Sequence, residues 1–378
     1  MPYWRLSGFY FFYFATLGAL VPYWAPYLRS IGFEASEIGN LVALILATKI
    51  VAPNVWAWIA DHSDRTMGVV RLATLLTVVC FTGVFFGTGF WWMALVMSAF
   101  SFFWNAALPQ LEATTMNYLG SRPQHYGRVR LWGSIGFIVA VWSLGPVLDR
   151  YGEGTIRPVI MVLMVGIWLA SMSIPNVSSP QKRGTGPGVL EQIFRRRDVV
   201  ALLLACFLMQ ASHAPYYTFY TIYLTDNGYS NTVVGSLWAL GVICEVVVFL
   251  AMPRLLGRVG LRAVLLSSFA LAGLRWVLIA GFVDSPAVLA FAQTLHAVTY
   301  GAYHAAAIHM VHRMFTGRLQ HRGQALYSSM SFGVGGALGS FYSGYAWTWL
   351  GPSQTYLLAA GLTVLAFGLA YRLIPSRI

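Results

Sequence analysis

Apolar stretches of about 20 residues recur along the whole of this 378-residue chain, and each can cross a ~30 Å hydrocarbon core as a helix. Inside a bilayer the backbone finds no water, so a helix that satisfies its own N–H and C=O groups is the element such stretches dictate. Composition agrees. The chain is 58% hydrophobic with a mean hydropathy of +0.65, and its 10% charged residues compare with about 25% in a soluble domain.

The hydropathy pattern predicts an all-α integral membrane protein with twelve spans: 6–28, 38–60, 69–89, 91–118, 127–148, 156–175, 199–224, 232–256, 263–283, 286–311, 324–347 and 353–374. Dividing 378 residues by twelve leaves about 31 per span and loop, which excludes a soluble catalytic domain or a receptor ectodomain. The longest loop holds Pro180, Gly184, Gly186, Pro187 and Gly188 and then Arg195, Arg196 and Arg197. It reads as a cytoplasmic linker (176–198) between two six-helix bundles, 1–175 and 199–378.

A net charge of +12 suggests a nucleic-acid partner, but its distribution excludes one. With both termini in the cytoplasm, 18 basic residues fall in cytoplasmic loops or at cytoplasmic span ends, three on the outer side (Arg29, Arg150, Arg157) and three deeper within spans. This is the positive-inside pattern, which sets orientation. Cys80, Cys206 and Cys244 lie within spans and offer no disulfide framework. The loop histidines His62, His125 and His321 lack partners at ligand spacing. No metal, cofactor or obligate protein partner is expected, and nothing marks an enzyme.

The two halves carry a weak internal repeat. QHYGRVRLWGSIGF (124–137) opens the fifth span and QHRGQALYSSMSF (320–332) the eleventh. With one gap, Leu131-Trp132 lies over Leu326-Tyr327, Ser134 over Ser329 and Phe137 over Phe332. A parallel repeat of this kind is expected of halves related by an axis along the membrane normal.

Only five of the 36 charged residues lie three or more residues in from the ends of these spans: Lys49, Glu112, Arg130, Glu245 and Arg275. Each costs about 2.5–3.5 kcal/mol even on the lenient insertion scale, so each calls for a partner or a task. Counting a rise of about 1.5 Å per residue from the span ends puts Glu245 and Arg275 at one depth near the bilayer centre. The same count puts Glu112 and Arg130 together nearer the cytoplasm. Each half thus offers one acid and one arginine on consecutive antiparallel helices, expected to pair. Such pairs either fix helix packing or build a site. Lys49, midway along span 2, has no acid left for it. Two acids against three bases leave one positive charge, which suits an anionic solute; sharing a glutamate, or losing the lysine's proton on burial, is the alternative.

His296, Tyr300, Tyr303 and His304 share one helical face, as do Gln210, His213 and Tyr217. A membrane histidine either bonds helix to helix or carries a proton. Trp238, on the face of Glu245, and Trp132, near Arg130, are candidates to meet a ligand ring.

These residues resemble the major facilitator superfamily, and more narrowly its phenylpropionate permease family, relatives of lactose permease. The likeness runs the length of the chain. Asp61 with Asp64-Arg65 resembles the superfamily's cytoplasmic gating motif, with Ala57 where a glycine is usual. GRVRLWGS with Leu111-Glu112-Ala113 upstream resembles the sugar-binding region of lactose permease. The runs Leu240–Glu245, Leu274-Arg275-Trp276, Gln210–Ala214 with Tyr216-Tyr217, and Leu295-His296 resemble the phenylpropionate-permease pattern. The sequence departs from lactose permease at Thr299, where that protein has a proton-carrying glutamate, and in lacking its span-11 lysine.

The resemblance implies a secondary transporter of the bacterial inner membrane, importing an aromatic monocarboxylate with a proton by alternating access. A sugar or nucleoside symporter of the same fold is the runner-up, and a membrane receptor or enzyme the rival class. On this reading Lys49, Glu112, Arg130, Trp132, His213, Tyr217, Trp238 and Tyr300 bind substrate. Glu245, Arg275, His296 and Glu112 couple the proton, and Asp61 and Arg65 gate.

Overall fold

The computed structural model describes residues 1–63, 66–120, 122–176, 196–315 and 319–375, and every regular element among them is helical. The first half contains α1 (Tyr3–Ser30), α2 (Ala35–Ser63), α3 (Thr66–Phe81), α4 (Phe90–Leu119), α5 (Tyr126–Tyr151) and α6 (Ile156–Ser173). The second contains α7 (Arg197–Asp226), α8 (Asn231–Val259), α9 (Leu261–Gly281), α10 (Pro286–Thr294), α11 (Tyr303–Met314), α12 (Gln320–Ser328), α13 (Gly336–Leu350) and α14 (Pro352–Leu373). Two π-helical turns interrupt this half, Ala297–Ala302 between α10 and α11 and Ser329–Gly335 between α12 and α13. Among the described residues ten helices are long and apolar enough to cross a membrane. They coincide with ten of the expected spans; the other two expected spans, 286–311 and 324–347, overlap the π-interrupted runs.

Local chemistry explains the element ends. Gly120, at φ 52°, closes α4 in a left-handed conformation that a side chain would strain. Ser285 caps α10, its hydroxyl accepting from Val288 N–H, with Pro286 at the first helical position where no N–H is needed. Proline inside α7 is tolerated because the carbonyl it orphans is answered elsewhere. Pro215 cannot donate to Ala211, and Tyr342 Oη of α13 donates to that carbonyl at 3.2 Å.

By internal packing the chain forms two compact units. Unit 1 comprises Met1–Arg183 with Ser230–Ser236, and unit 2 comprises Gly184–Tyr229 with Leu237–Ile378. In unit 1, α1 and α5 touch backbone to backbone: a Cβ on Gly18 would sit 2.7 Å from the Phe137 carbonyl oxygen. In unit 2 the corresponding contact is between α7 and the α12–α13 run, where a Cβ on Gly335 would sit 2.8 Å from the Phe207 carbonyl oxygen. Small residues at these crossings stand in for the absent hydrophobic drive between helices in lipid.

The first turn of α8 packs with unit 1. Asp149, near the end of α5, accepts from the backbone N–H of Asn231 (2.7 Å) and of Thr232 (2.9 Å) and from Thr232 Oγ1 (2.6 Å). A carboxylate thereby satisfies donors that the start of a helix leaves open, at its positive end.

Candidate functional site

In unit 2 the charged residues converge through a chain of polar contacts with a definite donor at each link. Arg275 of α9 is fully buried. Its Nη1 donates to His296 Nδ1 at 3.0 Å and its Nη2 to Gln293 Oε1 at 3.1 Å. Tyr216 Oη of α7 donates to the same amide oxygen at 3.0 Å. The guanidinium lies over the Tyr216 ring (4.2 Å to the centroid) and against Trp276 (4.8 Å), contacts that lower the cost of a buried cation. His296 Nε2 lies 3.7 Å from Glu245 Oε2 of α8. Because a guanidinium can only donate, His296 Nδ1 must be the acceptor, and in the neutral ring the hydrogen sits on Nε2, facing the glutamate.

The expected Arg275–Glu245 pair is therefore bridged, with His296 between the two charges. The π turn contributes to this: His296 immediately precedes it, Gln293 lies at the end of α10, and the wider turn re-aims the side chains that flank it. Within the turn, Gly301 leaves room for the acid, since a Cβ there would lie 3.0 Å from Glu245 Cγ.

Aromatic rings close around this chain. His213 Nδ1 donates to the Met209 carbonyl at 2.9 Å, and its ring meets Trp276 edge-on at 4.9 Å and Tyr217 at 5.9 Å. His296, Tyr300 and His304 form a ladder of near-parallel rings, 5.3 and 6.2 Å apart. Tyr217 and Tyr300 are half-buried, whereas Trp238 is 3% exposed. Its ring lies 4.4 Å from that of Tyr216 at a tilt of 35°, and its N–H donates to Thr221 Oγ1. It is a packed wall behind the site, with no ring face left for a ligand.

Unit 1 treats its charges differently. Glu112 and Arg130 form no ion pair. The carboxylate of Glu112 accepts instead from Tyr126 Oη at 3.1 Å. Tyr126 lies one turn before Arg130 on α5 and takes the acid first. The guanidinium of Arg130 lies 3.7 Å from the centre of the Phe14 ring and 5.9 Å from that of Tyr10. Gly133 makes the space: a Cβ there would lie 2.6 Å from Arg130 Nη1 and 2.7 Å from Phe14 Cδ2. Among the described residues neither Arg130 nor Lys49 has a hydrogen-bond or ion-pair partner, and both are half-buried. The neighbour of Lys49, Thr48, is held by Asn105 Nδ2 (2.8 Å) and bonds Ser101 Oγ (3.0 Å). That network fixes α2 to α4 beside the lysine without involving it.

Trp132 lies apart from this group. Its N–H donates to Tyr3 Oη at 3.0 Å and its ring meets Trp4 at 5.6 Å, at the start of α1. Of the gating pair, Arg65 and the side chain of Asp61 lie outside the described residues, as does most of the 176–198 linker. Gln293, Tyr216, Tyr126 and Phe14 shape the two clusters, yet a search for formal charge passes over them. The available signal was Gln293, a polar residue in an apolar span three positions before His296.

The model of the MFS_1-like family matches residues 3–358. The chain belongs to that family. Its members are membrane transporters and not enzymes, and this chain is an integral membrane protein of that class. The MFS_1-like chain is 29% identical over 383 residues to the probable 3-phenylpropionic acid transporter of Escherichia coli (strain K12), covering 99% of this chain and 98% of the relative. It is 24% identical over 347 residues to the maltose permease of Geobacillus stearothermophilus, covering 89% and 86%. It shares its fold with the crystal structure of the nucleoside transporter NupG, at a TM-score of 0.87 and 17% identity over 98% of this chain and 100% of that one.

Proposed function

We propose that this MFS_1-like protein is a secondary transporter that takes up a small aromatic monocarboxylate together with a proton, by alternating access. The observation that carries the reading is the pair of unanswered cations in unit 1. Arg130 and Lys49 have no acid partner among the described residues, while Glu112 is held by a neutral phenol. A cation kept in an apolar segment without a counter-ion favours a solute that brings one, and a guanidinium offers a carboxylate a planar fork. The phenyl face of Phe14 beside Arg130 supplies ring surface of the kind an aromatic acid needs. The name of the Escherichia coli relative points the same way.

On this reading Lys49 and Arg130 contact the solute, and Glu245 takes up and releases the proton through its position beside His296. The two π-interrupted runs complete a set of twelve spans in two six-helix halves. The protein sits in a bacterial inner membrane with both termini cytoplasmic, a topology that labelling of Ser179→Cys by an impermeant external reagent in intact cells would overturn.

The functional test is uptake of labelled 3-phenylpropionate into proteoliposomes under an imposed proton gradient, measured against protein-free liposomes because the neutral acid crosses bilayers unaided. Accumulation that exceeds that background, and that unlabelled cinnamate competes for, is expected. Competition by maltose or nucleosides, and not by cinnamate, would transfer the assignment to those solutes.

A further inference from the structure

We infer that Tyr126 is a positioning residue: its phenol holds the Glu112 carboxylate away from Arg130, so that the guanidinium keeps its N–H fork open for the carboxylate of the solute. The inference rests on the transport reading above and adds to it a residue that carries no charge.

Unit 1 sets one acid and two phenols around one arginine. Arg130 acts electrostatically on Glu112, Tyr10 and Tyr126, so the four share a cluster. An arginine fork prefers a carboxylate to a neutral partner. A direct Glu112–Arg130 pair would cancel both charges and leave nothing for an anionic solute. Two features keep that pair from forming. The first is Tyr126, four residues before Arg130 and therefore on the same face of α5. Its Oη donates to Glu112 Oε1 at 3.1 Å, and among the described residues it is the carboxylate's one hydrogen-bond donor. The second is a slot for the guanidinium. Arg130 lies over the Phe14 ring, 3.7 Å from its centre, in space that a Cβ on residue 133 would fill. A guanidinium held by its flat face has its N–H rim free for a planar acceptor.

The choice of donor to the acid is narrow. Tyr10 Oη, the other phenol of the cluster, donates to Thr115 Oγ1 at 3.3 Å, and Thr115 donates in turn to the Leu111 carbonyl at 2.8 Å. Both hydroxyl hydrogens are thereby committed, and Tyr126 is left to answer Glu112. A phenol suits that task. It gives a half-buried carboxylate the hydrogen bond it needs, yet has no charge of its own to claim Arg130 or the solute. Packing gives no reason to keep the two charges apart, because direct pairing would satisfy both at once.

The test measures equilibrium binding of two probes to the purified full-length protein, 3-phenylpropionate and the neutral 3-phenylpropionamide. The wild type should prefer the acid. In Tyr126→Phe, Glu112 loses its donor and turns to Arg130. Kd for the acid should then rise about fivefold or more, while Kd for the amide changes by less than about twofold. A residue that only packs the site predicts equal losses for both probes. Adding Glu112→Gln to Tyr126→Phe removes the competing acid and should return Kd for 3-phenylpropionate to within about threefold of wild type. Equal losses for the two probes, or no rescue by the second substitution, overturn the role of Tyr126.

Thermal melting supplies a readout that needs no solute. Arg130→Gln should lower Tm in the Tyr126→Phe background by about 3 °C or more beyond its effect in wild type, because there it removes the new partner of Glu112. Additive Tm changes overturn the positioning role. Non-additive changes in a protein whose wild type does not prefer the acid to the amide uphold that role and overturn the reading of the solute as a carboxylate.

Discussion

The two charged clusters begin from the same ingredients, one glutamate and one arginine on consecutive helices, and handle them in opposite ways. In unit 2 Arg275 is fully buried and hydrogen-bonded to two neutral acceptors, with its acid one imidazole away. In unit 1 Arg130 is half-buried, lies on a phenyl ring, and leaves its acid to a tyrosine. The neutral neighbours make the difference. Gln293 and His296 give one guanidinium two acceptors, whereas Phe14 and Gly133 offer the other a surface and a gap but no acceptor.

Arg275→Leu should have the largest effect, because it removes the cation from a buried network and leaves Gln293 Oε1 and His296 Nδ1 without their common donor. Uptake should fall at least about a hundredfold, with a clear loss of thermal stability. Near-wild-type uptake would dissolve the contrast between the clusters. Arg130→Lys sharpens it from the other side. Lysine keeps the charge but loses the flat contact with Phe14 and the planar fork. Insertion and folding should survive while KM for 3-phenylpropionate rises about tenfold; unchanged kinetics would show that Arg130 is remote from the solute.

The positions of the spans were legible in the sequence because hydrocarbon thickness sets their length, and the helices overrun the expected spans only where loop residues continue a turn. The shared depth of Glu245 and Arg275 was legible for the same reason, by counting rise per residue. The contact between them was not. Rise fixes depth but says nothing about azimuth, and the π turn after His296 changes the azimuth in a way that no local sequence signal announces. Glu112 and Arg130 were misjudged as a direct pair for a simpler reason: Tyr126, one turn ahead on the same helix, competes for the acid without carrying a charge. Tryptophan was the weakest guide, since Trp132 and Trp238 both give their N–H groups to neighbouring residues and their rings to packing.

Smaller effects bound the comparison. Asp149→Ala removes the three bonds that cap α8 and should lower Tm by about 2–4 °C, the equivalent of losing a helix cap. A Tm unchanged by that substitution would show the cap to be energetically idle. Trp132→Phe should change KM by less than about twofold, as its contacts are with Tyr3 and Trp4 and not with the Arg130 group. A larger rise in KM would enlarge the unit 1 site to include the start of α1.

The most direct test of proton coupling at Glu245 is transport by reconstituted Glu245→Gln, which keeps the shape of the side chain and cannot ionise. Under an imposed gradient, acid outside, the variant should fail to accumulate 3-phenylpropionate above protein-free liposomes, yet still exchange labelled for unlabelled acid across the membrane with little dependence on pH between about 5 and 8. Accumulation against a solute gradient by Glu245→Gln would contradict the account and move the coupling proton to another residue, with His296 the first to examine.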